Sequence, residues 1–280
     1  MVITVASGKG GTGKTTIAVN LALTMTDTQL LDCDVEEPNA HIFIKPEITE
    51  TETVTIRVPR VNEEKCTSCG RCKEVCAYNA IAVLPDHTLV FPELCHGCGA
   101  CSYFCPSGAI VEVEREIGRV EIGNLKRLSF VQGILNIGES LSPPVIRAVK
   151  RHINHTKTAI IDAPPGTSCP VIASINGSDY CILVTEPTPF GLNDFILSVE
   201  VLKRLGIPFG AVINRCDIGN DKTARFCRKE GIPILMEIPF MREVALAYSQ
   251  GVPIVDAFPE FRNKFDGLYS SLKKFKARKS

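Results

Sequence analysis

The sequence lacks an excess of charge of either sign, because 31 lysines and arginines meet 31 aspartates and glutamates. A chain without net charge makes no electrostatic case for gripping nucleic acid. No run approaches the eighteen or so apolar residues that a bilayer-spanning helix needs. Nor do the first residues show a charged segment, a long apolar core and a cleavage site, so no secretory leader is read there. Together these absences predict a soluble, cytoplasmic protein with no nucleic-acid partner. Disulfides fare no better. Thirteen cysteines would suggest them in a small secreted domain, but 280 residues with 45% hydrophobic content suffice for one large core and a small satellite. Metal is the better use of the thiols.

What the sequence does contain begins at Ser7-Gly8-Lys9-Gly10-Gly11-Thr12-Gly13-Lys14-Thr15-Thr16, directly after an apolar run from Val2 to Ala6. A strand, a glycine-rich loop, a lysine and a hydroxyl in this order make a phosphate-binding loop. Gly8, Gly10, Gly11, Thr12 and Gly13 let backbone N–H groups curl around phosphate oxygens. Lys14 adds a point charge, and Thr15 offers its hydroxyl to magnesium. From Thr16 to Met25 the apolar residues Ile17, Ala18, Leu21 and Ala22 recur at helical spacing.

Further apolar strands end in polar residues suited to the same ligand. Gln29 to Leu31 leads into Asp32 and Asp34, two carboxylates at a strand's carboxyl end, where the crevice of an open parallel sheet lies. Both are expected to face the magnesium and phosphates. Thr158 to Ile161 ends in Asp162 and a Pro164-Pro165-Gly166 turn, a second carboxylate with a mobile backbone N–H near the terminal phosphate. Phe209 to Ile213 ends at Asn214. Helical patterns at 144–153, 193–205, 221–230 and 242–250 separate these strands, which predicts an α/β fold with a mostly parallel sheet and helices on both faces.

Between two alternating, antiparallel-type segments (Val54, Ile56, Val58 and Val111, Val113, Val120, Ile122) lies an internal repeat. Its halves are Cys66, Cys69, Cys72, Cys76 and Cys95, Cys98, Cys101, Cys105, each C-x2-C-x2-C-x3-C. That spacing brings three thiolates to one 4Fe-4S cluster and sends the fourth to the other. Cys66, Cys69, Cys72 and Cys105 are assigned to one cluster, and Cys95, Cys98, Cys101 and Cys76 to the second. A zinc site has no use for the third and fourth cysteines at fixed distance, twice. The repeat resembles the bacterial two-cluster ferredoxins over Asn62 to Val113. Cys105 is followed by Pro106 as in that family, whereas Cys76 is followed by Ala77. His96, between two of the thiols, reads as a solvent-facing loop residue.

The remainder resembles the MinD, ParA and Mrp group of P-loop ATPases, the superfamily of the nitrogenase iron protein, over Met1 to Lys45 and Leu125 to Pro259. Lys9 is its most specific token, because Lys-Gly-Gly-Thr-Gly-Lys-Thr is the group's deviant Walker A loop. The resemblance implies that Lys9 reaches a partner subunit's nucleotide in an ATP-dependent dimer with itself or a related paralogue. It implies that Asp34 orients the attacking water, Asp32 supports it, Asp162 contacts magnesium through water, and Asn214 reads adenine. An ATPase domain over 1–52 and 124–280 would carry an inserted ferredoxin-like α+β domain over 53–123.

The functional expectation is a slow, partner-stimulated ATPase, using ATP/ADP, magnesium and two 4Fe-4S clusters. Its dimerisation would be coupled to electron transfer or metallocofactor maturation of a client. A MinD-like positioning ATPase with a redox-sensing module is the alternative, and a plain electron carrier a third. Cys169 follows Asp162 at the spacing of the iron protein's cluster-bridging cysteine, but no second cysteine lies between Val111 and Pro165, so a buried free thiol is expected. The stripe Phe261, Phe265, Leu268, Leu272 and Phe275 with a basic tail suits either a membrane-binding helix or one docked on the core, and docking is preferred.

Overall fold

The computed structural model describes residues 1–277. In chain order its elements are β1 (Val2–Ala6), α1 (Lys14–Thr24), β2 (Thr28–Asp32), α2 (Ala40–Ile44), β3 (Glu47–Val61), α3 (Arg71–Val75), β4 (Ile81–Val83), β5 (Thr88–Val90), α4 (Ala100–Tyr103), β6 (Ile110–Leu125) and β7 (Leu128–Leu135). There follow α5 (Pro143–Arg151), β8 (Thr158–Asp162), α6 (Cys169–Ile175), β9 (Tyr180–Thr185), α7 (Pro189–Leu205), β10 (Phe209–Asn214), α8 (Lys222–Lys229), β11 (Ile234–Ile238), α9 (Arg242–Ser249), α10 (Ile254–Ala257) and α11 (Glu260–Ala277).

Nine strands form one sheet in the order β11-β10-β9-β1-β8-β2-β7-β6-β3. From β11 to β7 all neighbours are parallel, and β6 and β3 add on antiparallel. The central strands are apolar at nearly every position because both faces are covered. Ile3, Val5, Leu30, Ile160 and Ile182 point to a core shared with α1, α10 and α11. Their neighbours Leu31, Ile161 and Leu183 point the other way, to α5 on one side and to α6, α7 and α8 on the other.

The C-terminal helix belongs to the first of these cores. Phe261, Phe265, Leu268 and Leu272 are all buried, and Phe275 meets the Tyr180 ring edge-on at 4.9 Å. The stripe is therefore spent on the core, as the docked reading expects. The basic tail at 278–280 lies outside the described residues.

The two antiparallel strands are longer than the alternating segments suggest. β3 and β6 pair from Glu47 opposite Asn124 to Val61 opposite Ile110, so the positions 52/53 and 123/124 fall within strands of the main sheet. Beyond their ends, residues 62–109 hold the β4–β5 hairpin, α3 and α4, and a small core forms from Cys72, Ile81 and Cys101 against Ile110 of β6. Among the described residues no helix is long and apolar enough to cross a membrane.

Candidate functional site

β1 delivers the loop at 7–13 to the carboxyl edge of the sheet, where strand order reverses between β8 and β9. Gly13 sits at φ 95° just before α1, and a Cβ there would lie 2.6 Å from Asn214 Nδ2, so both the backbone and its neighbour require glycine. Gly10 and Gly11 are exposed at the tip, while Thr12, Lys14 and Thr15 are buried. No side chain caps the start of α1, and its first turn carries no acid. Its amides thus remain available to an anion.

Four of the predicted polar residues meet beneath this loop. Asp32 pairs in register with Asp162 across β2 and β8, and Lys14 Nζ lies 3.7 Å from Asp34 Oδ2. The Asp32 carboxylate accepts backbone N–H groups of Asp34 (3.1 Å), Asn39 (3.1 Å) and Ala40 (3.0 Å), so it braces the loop that carries Asp34. Both oxygens of Asp162 are buried with no hydrogen-bond partner. Burial raises the Asp162 carboxyl's pKa, against the nearby charge of Lys14. Burial likewise pushes Asp34 up to about 6, Lys14 again opposing, and raises Asp32, with the Asp162 charge adding to the effect. A buried carboxylate with unused oxygens beside a second acid is an environment that a divalent cation relieves. Thr15, at the adjacent helix start, fits that cation, as does the unpartnered Thr12 hydroxyl a phosphate.

Asn214 donates through Nδ2 to the Thr12 carbonyl at 2.9 Å and borders a cavity of about 880 Å³, part of it open to solvent. Ile17, Pro239, Phe240, Met241, Val244 and Tyr248 line it. Mostly apolar walls, with the Asn214 amide and Arg215 at the polar side, fit a planar heterocycle. Sequence reasoning missed most of this wall, which comes from β11, α9 and the turn between them. It also gave Glu186 no role. Lys9 donates to the buried Glu186, whose other oxygen lies 3.3 Å from Arg215 Nη1. The only hint was position, since Glu186 follows β9 at the same sheet edge.

The eight cysteines of the repeat gather in two groups of four. One cavity, about 330 Å³ of space partly open to solvent, is lined by Cys66, Cys69, Cys72 and Cys105. The other, about 390 Å³, is lined by Cys76, Cys95, Cys98 and Cys101. This is the crossed partition that the spacing predicts. Backbone N–H groups of Ala80 and Ala109 donate to Cys76 and Cys105 Sγ at 3.3 Å, and Gly97 donates to Cys95 Sγ at 3.4 Å. Among the described residues no three His, Cys, Asp or Glu side chains stand close enough to hold a single metal ion. Thiols set around a cavity instead suit a multi-iron cage more than one ion. The exposed His96 ring stacks on Tyr78 at 3.6 Å beside the second cavity. Cys169 is exposed at the start of α6, not buried as the sequence suggested, because the turn after Asp162 carries it out of the core.

Residues 3–254 match the family model described as the CobQ/CobB/MinD/ParA nucleotide binding domain. An uncharacterized protein of Methanocaldococcus jannaschii is 31% identical over 98% of this chain and 97% of its own. A protein of Pyrococcus horikoshii named iron-sulfur cluster carrier protein is 24% identical over 98% of this chain and 87% of its own. Among solved structures, the septum site-determining protein MinD with Mg-ADP from Pyrococcus horikoshii superposes with a TM-score of 0.61 at 18% identity, covering 100% of this chain and 98% of that one.

Proposed function

We propose a function from one premise: the chain belongs to the CobQ/CobB/MinD/ParA family of nucleotide-binding domains. It is an ATP-hydrolysing iron–sulfur protein whose ATP-dependent dimerisation is coupled to electron delivery or metallocofactor maturation in a client. It carries an inserted two-cluster unit over residues 62–109, joined through the β3–β6 ladder to an ATPase domain formed by the chain on either side. The observation that carries this reading is the pair of cavities, each lined by four thiols drawn from both halves of the repeat.

In this reading Lys14 and the amides of the Gly8–Gly13 loop bind the phosphates of ATP, and Asn214 with the apolar wall receives the base. Asp34, paired with Lys14, orients the attacking water, and Lys9 leaves Glu186 to reach the partner's nucleotide. Magnesium, held by Thr15 and through water by Asp162, would neutralise charge on the phosphates. Two 4Fe-4S clusters would supply one-electron chemistry. The backbone N–H groups aimed at Cys76, Cys95 and Cys105 stabilise sulfur that carries negative charge.

Anaerobic purification tests the reading. About eight irons per chain are expected from two four-iron clusters, with EPR signals of which Cys98→Ser removes one. ATP hydrolysis should be lost in Asp34→Ala while ATP binding persists. A chain without iron, or one that hydrolyses ATP normally with Asp34→Ala, defeats it. The fold of MinD favours a second reading, a positioning ATPase with a redox sensor. The burial of the α11 stripe weighs against its membrane-anchored form.

A further inference from the structure

The two thiol-lined cavities are copies of one another through the internal repeat, so residues beside the first have counterparts beside the second. A shift of 29 positions, from 66 to 95, carries Cys66, Cys69, Cys72 and Cys76 onto Cys95, Cys98, Cys101 and Cys105. The strands obey the same relation, because Val83 faces Thr88 in the β4–β5 hairpin as Glu112 faces Pro59 in the β3–β6 ladder. Corresponding thiols are equally covered. Cys72 and Cys101 are each 9% exposed, and Cys69 and Cys98 are both at the surface. What distinguishes the two sites is therefore the residues around the sulfur.

Three of these neighbours differ in kind. The first cavity, that of Cys66, Cys69, Cys72 and Cys105, is also lined by Thr67, Thr88 and Ser107. At the corresponding positions the second cavity has His96, Pro59 and Tyr78. Thr88 Oγ1 lies 3.6 Å from Cys66 Sγ, and Ser107 Oγ 3.6 Å from Cys105 Sγ, both within hydrogen-bond reach of sulfur. A sulfur bound to iron has no proton to give, so both hydroxyls would donate. Pro59 offers no donor, and the Tyr78 and His96 rings stack 3.6 Å apart and 5° from parallel at the wall of the second cavity. Backbone donors nearly cancel. Ala109 to Cys105 and Ala80 to Cys76 are equivalent at 3.3 Å, which leaves Gly97 to Cys95, at 3.4 Å, on the second cavity's side. Fixed charges cancel as well, because Arg71 at the first cavity pairs with Glu74, and the second is lined by both Arg57 and Glu112.

We propose that Thr88, with Ser107, makes the Cys66, Cys69, Cys72 and Cys105 site the more easily reduced of the two, while the stacked Tyr78 and His96 rings keep the other site harder to reduce. The inference rests on the functional reading above, in which each cavity holds a 4Fe-4S cluster. Reduction adds negative charge to a cluster and its sulfurs. Hydroxyl donors favour that more negative state, and a ring pair in place of water disfavours it. A single electron on the unit therefore leaves the second cluster, which is oxidised, for the first, which is reduced. Position gives this preference a direction. The first cavity meets the β3–β6 ladder at its last pair, Val61 and Ile110, whereas the second meets it at Arg57, Pro59 and Glu112, closer to the main sheet. The electron comes to rest on the cluster farther from the main sheet, and delivery to a client starts there.

The test uses the full chain with its clusters, held without oxygen and given less dithionite than one electron per chain. Cys98→Ser and Cys69→Ser assign the two EPR signals. One hydrogen bond to sulfur corresponds to about fivefold in occupancy, so two hydroxyls against one amide put the first cluster's signal about fivefold above the second's. Thr88→Val removes the buried hydroxyl and is expected to cut that ratio about fivefold. Ser107 is exposed, and water can take the place of its hydroxyl, so Ser107→Ala is expected to change the ratio less. Tyr78→Ser copies the residue at the corresponding position and is expected to raise the second cluster's share. Equal signals in an iron-replete parent overturn the inference, as does an iron-replete Thr88→Val chain whose ratio matches the parent's. Should Thr88→Val lose iron, an unchanged ratio in Tyr78→Ser overturns it instead. A parent chain that binds no iron defeats the functional reading itself, an outcome that iron analysis separates from the others.

Discussion

Asp162 is the residue at which folding and ligand binding pull hardest against each other. A buried carboxylate with no hydrogen-bond partner destabilises the fold by about 1–3 kcal/mol or more. Asp162→Asn is therefore expected to raise the melting temperature of the nucleotide-free protein and to abolish the further rise that magnesium and nucleotide give the parent, both measured by thermal melts. Asp34 adds a pH dependence. Its folded-state pKa of about 6 lies above the ordinary aspartate value of 3.8, so between these values the folded state binds more protons than the unfolded one. Its contribution to stability falls as pH rises through that window, and the loss is complete above about 6. Denaturant midpoints without magnesium or nucleotide should show a steeper fall in the parent than in Asp34→Asn, which keeps the share of Asp32 and Asp162, whose carboxyls burial also raises. Lys9 supplies a third expectation. It is held within its own chain by Glu186, so Glu186→Gln should let dimers form at lower ATP concentration, read by light scattering, whereas Lys9→Ala should prevent them.

At the scale of elements, α11 owes its place to four buried side chains and not to its charges. Phe265 is 0% exposed in the core shared with α1 and β11, and Phe265→Ala should destabilise the chain by about 3–5 kcal/mol in denaturant titrations. The helical stripe was legible in the sequence, but its partner was not, since periodicity marks an apolar face without saying what covers it. β3 and β6 teach the converse. Their alternation was legible only in the middle, because Glu47 to Glu52 carry polar residues on both faces of an edge strand and mimic a loop. The long pairing with β6, and of β6 with β7, is what turns two apparent stalks into part of the main sheet.

At the scale of the whole molecule, two cores of very different size share one chain. The core of residues 62–109 rests on Cys72, Ile81 and Cys101 packed on Ile110 of β6 with a few partly buried neighbours, too little apolar area to order the segment unaided. If the thiols hold clusters as proposed, removing iron with a chelator should open this segment to limited proteolysis, while the melting transition of the large α/β core stays in place. Simultaneous loss of both would show that the β3–β6 ladder does not insulate one unit from the other.

The sequence by itself determined the phosphate loop, the parallel α/β host and the crossed grouping of eight cysteines. Each of these is written in local spacing, where backbone geometry fixes which residues share a turn or a face. Only the tertiary structure decided that Asp32 serves its own loop, that Asp162 is the carboxylate left unpaired, that Lys9 rests on Glu186, and that Cys169 is exposed. Those outcomes depend on which distant strands become neighbours and on which groups then compete for the same hydrogen bonds.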